Sequence, residues 1–238
     1  MKVLLFDVDG TLLRAGGAGR KALSRAVRAL YGAPVDCLRM DLAGSTDLGI
    51  LRDLVSQASG RKATRREVER LKSEYLRRLP RLVRAALRSG SYELTPGIRR
   101  LLSRLGREEE LLIGLGTGNL REGARIKLEP SGLGRFFRFG GYGCDATERS
   151  AILKKAVARA QGLLGRTVRK TDVYVIGDTP KDVAAGRRAG YKTIAVGTGF
   201  STWEALKASK PDHLARDFQD TEAWLRWLKI GNKLRKPS

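Results

Sequence analysis

Four short apolar runs punctuate the chain, Val3 to Phe6, Leu111 to Leu115, Val173 to Ile176 and Thr193 to Val196, and each gives way to a polar, glycine-bearing segment: DVDGT, GTGN, GDTP and GTGF. Uninterrupted runs of this length are the pattern of parallel strands buried on both faces, and the polar segments mark where those strands stop. Between the runs, Gly97 to Leu105, Leu120 to Leu128, Arg149 to Ala160 and Lys181 to Ala189 carry apolar residues at helical spacing. Strand and helix therefore alternate. The alternation predicts an α/β fold built on a doubly wound, Rossmann-like parallel sheet.

From about Arg14 to Gly90 the alternation lapses into several amphipathic helices with no convincing strand, which reads as a helical insertion after the first strand. Val68, Leu71, Tyr75, Leu79, Leu82 and Ala86 recur every three or four residues and form one apolar stripe, and Pro80 is expected to end or kink that helix. Trp224, Leu225, Trp227 and Leu228 predict a terminal helix docked on the core. The resulting division is residues 1–14 and 91–230 as the α/β core, 15–90 as the helical insertion and 231–238 as a basic tail.

Composition adds an unusual charge. The 238 residues hold 47 Lys and Arg against 25 Asp and Glu, a net charge of +22. Such a field favours phosphorylated metabolites, nucleic acid and acidic membrane surfaces alike, so charge alone does not choose a partner. The excess is concentrated in residues 61 to 88, where 11 Lys or Arg face 3 Glu on the polar side of the apolar stripe. No apolar stretch is long enough to cross a bilayer, and the opening MKVLLFDVDG is too acidic for a signal peptide, which leads us to expect a cytoplasmic protein. Cys37 and Cys144 lack the spacing of a disulfide framework or zinc site, and His213, the one histidine, has no nucleophile to pair with.

In an open parallel sheet, ligands bind outside the carboxyl ends of the strands, so DVDGT, GTGN and GDTPKD are expected to meet in one crevice. Asp7 and Asp9 stand two apart, which on extended backbone turns both carboxylates to one side, where one can attack while the other moves protons. A carboxylate approaching a phosphate meets like-charge repulsion on the order of 4 kcal/mol at about 4 Å and an effective dielectric of about 20. A metal offsets it: Mg²⁺ suits oxygen ligands, and Asp178 supplies a further carboxylate from the end of another strand. Thr117, Gly118 and Asn119 open a helix after a strand, where free N–H groups favour an anion. Arg14 and Arg20, around the GGAG stretch, and the polar group Gly44 to Asp47 are candidates to face a leaving group.

These residues resemble the motifs of haloacid dehalogenase superfamily phosphatases: DVDGT (Asp7 to Thr11) is similar to the first, TGN (Thr117 to Asn119) to the second and GDTPKD (Gly177 to Asp182) to the fourth, in that order. Phosphoglycolate phosphatase-like members resemble the chain most, since they carry a helical cap after the first strand. The resemblance implies a phosphoaspartyl intermediate on Asp7, Asp9 as general acid and base, Thr117 on the transferring phosphoryl group, and Mg²⁺ held by Asp7, the Asp9 main-chain carbonyl and Asp178, with Asp182 nearby. The third motif departs from the usual Lys: Arg149 falls at that place, with Lys127 and Lys154 as rivals. The resemblance thus implies a Mg²⁺-dependent phosphatase of a small phosphorylated metabolite. A sugar-phosphate mutase on the same site and a nucleic-acid-associated phosphatase or binding protein are the alternatives. Nucleic acid is left open as a partner without a motif to support it, no membrane is expected, and the chain is expected to be a monomer or homodimer.

Overall fold

The computed structural model describes residues 1–32, 37, 40 and 44–230, so the basic tail at 231–238 lies outside the described residues. Eight strands are seen: β1 (Lys2–Phe6), β2 (Leu13–Ala15), β3 (Tyr92–Leu94), β4 (Leu111–Gly116), β5 (Phe139–Gly141), β6 (Val173–Gly177), β7 (Lys192–Val196) and β8 (His213–Ala215). The helices are α1 (Ala18–Tyr31), α2 (Asp47–Ser59), α3 (Arg65–Arg88), α4 (Ile98–Leu105), α5 (Arg121–Leu128), α6 (Arg149–Leu164), α7 (Pro180–Ala189), α8 (Trp203–Ala208) and α9 (Thr221–Trp227).

Six strands form one parallel sheet in the order β5-β4-β1-β6-β7-β8. Strand alternation explains how both faces are buried. Val3 and Leu5 of β1 pack with Val173 and Val175 of β6 against α6 and α7 on one face. Leu4 and Phe6 turn to the other, where they join Ile113, Leu115, Tyr174 and Ile176 in the larger core. That core runs on without a break into the helical insertion, through Leu51, Leu54, Leu71, Tyr75 and Leu79. The four apolar runs of the sequence are the central strands β1, β4, β6 and β7, as expected.

Two short pieces at the ends of the insertion were not legible. β2 and β3, three residues each, pair antiparallel as a ribbon that leads the chain into and out of α1–α3. The sheet-edge strands β5 and β8 are equally short, below the length at which periodicity distinguishes a strand. The expected terminal helix is α9: Trp224 is buried and stacks on Phe218 at 4.9 Å, with Trp227 edge-on to it at 5.7 Å. His213 stacks on the Trp227 ring at 5.0 Å. Cys37 is buried and Cys144 is exposed. No helix among the described residues is long and apolar enough to cross a membrane.

Pro80 does not end its helix. α3 runs through it for 24 residues, opened by a capping box in which Thr64 Oγ1 accepts from Glu67 N and Glu67 Oε2 accepts from Thr64 N at 3.0 Å. The buried stripe continues on both sides of the proline, Val68, Leu71, Tyr75 and Leu79 before it and Leu82, Val83 and Ala86 after it. Burial of that stripe outweighs the local cost of a missing N–H. Pro80→Ala restores the donor and removes the ring, and is expected to stabilise the fold by about 1–3 kcal/mol. The check is a raised denaturant midpoint at unchanged slope; a lowered midpoint would mean that the proline's shape is required by the packing.

Candidate active site

The crevice forms where β1, β4 and β6 end side by side. Asp7 follows β1 directly and its N–H donates to Ile176 O at 2.9 Å, which ties the start of DVDGT to β6. Gly10 reverses the chain at φ 79° and its N–H donates to Leu13 O at 2.8 Å. A Cβ there would strike the Asp178 carboxylate, so the glycine both makes the turn and admits the acid of the neighbouring strand end.

Asp7, Asp178 and Asp182 are buried together, with a carboxylate oxygen of each within 4.8 Å of the others. Their remaining contacts differ. Asp182 is fully engaged: Oδ2 accepts from Thr179 N at 3.1 Å and Thr179 Oγ1 at 2.7 Å in the cap of α7, and Oδ1 accepts from Arg149. Asp178 Oδ1 accepts from Thr11 Oγ1 at 3.1 Å and Oδ2 from Phe200 N at 3.0 Å. Asp7 Oδ2 lies 3.1 Å from an Arg149 nitrogen, while its Oδ1 is buried with no partner.

The electrostatics record this crowding. Burial, opposed by Arg149 and aided by Asp182, pushes the Asp7 carboxyl up to about 6. Burial, with Asp182 and Asp7 adding to it, pushes Asp178 up to about 8. One guanidinium meets two of the three acids, Asp7 and Asp182, whose charges outweigh the burial that would weaken its own, so Arg149 stays a cation. An orphaned carboxylate oxygen within a cluster of three crowded, buried acids is a donor set that fits a hard divalent cation.

A second cluster faces the first. Asp9, part-exposed, accepts at Oδ2 from Lys127 Nζ at 2.5 Å and from Asn119 Nδ2 at 2.9 Å. Asn119 Oδ1 accepts from the same ammonium at 2.5 Å, and its Nδ2 reaches Thr117 Oγ1 at 2.9 Å. Asn119 therefore ties Thr117, Asp9 and Lys127 together with both ends of its amide. Burial opposes the Lys127 charge, but Asp9 and Asp47 outweigh it and its pKa is raised. Asp47, at the start of α2, closes the insertion onto this loop: its N–H donates to Gly118 O and its carboxylate accepts from Leu120 N, both at 2.8 Å. Gly118 is required there, since a Cβ would meet Ser45 O and the Arg149 guanidinium.

These groups line one cavity of about 400 Å³ between the sheet end and the insertion. Asp7, Asp9, Gly118, Asn119, Arg149 and Asp178 reach it from the core. Arg14 and Arg20 also line it, but their guanidiniums already donate to backbone: Arg14 to Thr198 O at 2.7 Å and Gly199 O at 3.1 Å, Arg20 to Met40 O at 2.8 Å. Thr117 is fully buried behind the loop. Of the three cations weighed for the third motif, Arg149 stands beside Asp7, Lys127 beside Asp9, and Lys154 is exposed on α6. Glu148, the neighbour of Arg149 in the chain, pairs with Arg188. Sequence reasoning gave no role to Thr11, Ser91, Glu93 or Phe200, which the fold brings to the carboxylates or the cavity wall. Thr11 alone had a signal, its place inside DVDGT.

Comparison with known proteins bears on the family and the fold. Residues 149–221 match a family model described as HAD-hydrolase-like. The chain is 31% identical to the N-acetylmuramic acid 6-phosphate phosphatase of Pseudomonas aeruginosa over 84% of its own length and 83% of that protein's. It is 23% identical to the phosphoglycolate phosphatase of Photorhabdus laumondii over 92% and 90%. Among solved structures, CbbY from Rhodobacter sphaeroides in complex with phosphate superposes with a TM-score of 0.71 at 19% identity, covering 92% of this chain and 96% of that one.

The crowded acids set a pH dependence. Both folded pKa values lie above the ordinary carboxylate value of 3.8, so their stabilisation is fully present below that value and is lost as pH rises through about 6 and then about 8. In EDTA the melting temperature is expected to fall between pH 5 and pH 9, and Mg²⁺ is expected to raise it more at the upper end than at the lower. Asp178→Asn should flatten both trends; an equal Mg²⁺ increment at every pH would refute the account.

Proposed function

Since this chain belongs to the haloacid dehalogenase superfamily of phosphatases, we propose that it is a Mg²⁺-dependent hydrolase of a small phosphate monoester that works through a phosphoaspartyl intermediate on Asp7. It is a phosphoric monoester hydrolase of an α/β, parallel-sheet type. The observation that carries the finer reading is the buried Asp7 Oδ1 left without a hydrogen-bond partner, on a residue that lines the cavity together with Asp9.

In the proposed reaction Asp7 attacks phosphorus, the P–O bond to the leaving group breaks, and Asp9 gives that oxygen a proton. The Asp9 carboxylate then takes a proton from a water molecule as it attacks the phosphoaspartyl phosphorus, which frees phosphate and restores Asp7. Arg149 orients Asp7 and stabilises the phosphoryl oxygens, with a geometry of two donors rather than the point charge of a lysine. Lys127 and Asn119 hold Asp9 over the cavity. Thr117 and the Gly118 backbone receive the phosphoryl group. Asp7, the Asp9 carbonyl and Asp178, with Asp182 steadying them, would hold Mg²⁺, whose positive charge would let an anion approach an anion.

Residues 15–90 act in this reading as a cap over the leaving group, which Asp47 latches to the catalytic loop. A cavity of about 400 Å³ leaves room for a leaving group of sugar size as well as for a small acid such as glycolate.

Phosphate release is the direct test, from a panel containing phosphoglycolate, N-acetylmuramic acid 6-phosphate, other sugar phosphates and nucleotides. Release is expected to require Mg²⁺, to stop in EDTA and to vanish in Asp7→Asn. Arg149→Ala is expected to lower kcat by roughly 10²–10³, with partial recovery in Arg149→Lys. Full activity in Asp7→Asn would exclude the covalent route, and isomerised sugar phosphate without free phosphate would mean a mutase.

A further inference from the structure

The basic excess of residues 61–88 is arranged in the structure rather than scattered. Arg66, Arg70, Arg77, Arg81, Arg84 and Arg88 are all exposed on α3. At 100° per residue they fall within an arc of about 60°, opposite the buried stripe, along about 33 Å of helix. No acid stands in the arc. The three glutamates of α3 lie on its flanks, where Glu67 pairs with Arg61, Glu69 with Lys72, and Glu74 with Arg77 and Arg78. Of the six arginines only Arg77 has an acidic partner among the described residues. α1 packs along α3 with its Tyr31 near Glu67 and Arg70, exposes Lys21, Arg25 and Arg28, and contains no acid.

The small-molecule site does not use this charge, for no residue of α3 lines the cavity. Holding like charges in a row on one helix costs stability. The form of the row selects among polyanions. A membrane-binding helix inserts an apolar face, and here the apolar face is turned into the core. Single strands are held on aromatic platforms, and the one aromatic residue of α3, Tyr75, is buried. A duplex needs neither, and it presents one phosphate per about 1.7 Å of its axis along the whole row. We propose that the arginine row of α3 is a docking surface for the phosphate backbone of double-stranded nucleic acid, independent of base sequence and separate from the phosphatase crevice.

Binding of the full chain to a fluorescent duplex of about two helical turns, titrated at several salt concentrations, tests this. Six phosphate contacts predict a slope of log affinity on log salt of about −5, or roughly a thousandfold loss between 50 and 200 mM. In the triple variant Arg70→Gln, Arg81→Gln, Arg84→Gln the slope is expected to become shallower by about 3, with melting temperature and phosphate release unchanged. The matched control Lys154→Gln, Lys155→Gln, Arg166→Gln removes the same charge from exposed positions on and after α6 and is expected to keep the wild-type slope. Equal loss in the two triples would show diffuse charge rather than a built surface. Absence of duplex binding at low salt, or tighter binding to single strands, acidic protein or anionic vesicles than to duplex, would equally overturn the proposal.

Discussion

The active end of this protein is organised by the mutual repulsion of buried carboxylates. Asp7 and Asp178 sit at the ends of adjacent parallel strands, and Asp182 lies one helical turn into α7. None of the three would be held this close in water. The sheet forces the approach: β1 and β6 are locked in register from Val3 to Phe6, and the strands are buried on both faces, so neither can slide without exposing a core side. Repulsion that the fold sustains in this way becomes affinity for whatever positive charge enters. Part of that charge is built in as Arg149, and the orphaned oxygen of Asp7 marks the part left open.

From that constraint follows the separation of the two cations. Arg149 enters from the start of α6 and meets two acids of the first cluster with its planar fork. Lys127 enters from the end of α5 and meets Asp9 and Asn119 with three donors around a point charge. Each cation type suits its place, because the first must bridge two fixed carboxylates and the second must hold one carboxylate and an amide around a single nitrogen. α2 participates through Asp47, which accepts from Leu120 N in the loop after β4 and whose charge also favours the ammonium form of Lys127.

Sequence made some of this legible and hid the rest for identifiable reasons. The central strands and the crevice-facing acids were readable because continuous apolar runs and the carboxylates that follow them are local patterns. Edge strands of three residues were not, since they owe their existence to a neighbour rather than to periodicity. The partners of Arg149 and Lys127 were also out of reach: both cations were candidates for one role, yet the fold sets them in two different places, Arg149 beside Asp7 and Asp182 and Lys127 beside Asp9. Arg14 and Arg20 illustrate the opposite limit. Their charge and position suggest substrate contact, and the fold brings both to the cavity, but that they also donate to the carbonyl oxygens of Thr198, Gly199 and Met40 is something no linear pattern records.

Pro80 and the arginine row express one principle on the same helix. The burial of the stripe from Val68 to Ala86 is strong enough to hold a helix through a residue that lacks its N–H, and strong enough to hold a row of like charges on the opposite side. A helix so anchored does not need its solvent face for stability. That face is then free to carry a charge pattern that would unravel an isolated peptide, and arginine, with its fixed fork of donors, carries it in a form suited to phosphate. Among the 47 cations, then, a few buried ones are set against carboxylates in the crevice, while those aligned on the exposed face of α3 are placed by the geometry of the helix rather than by the chemistry of the site.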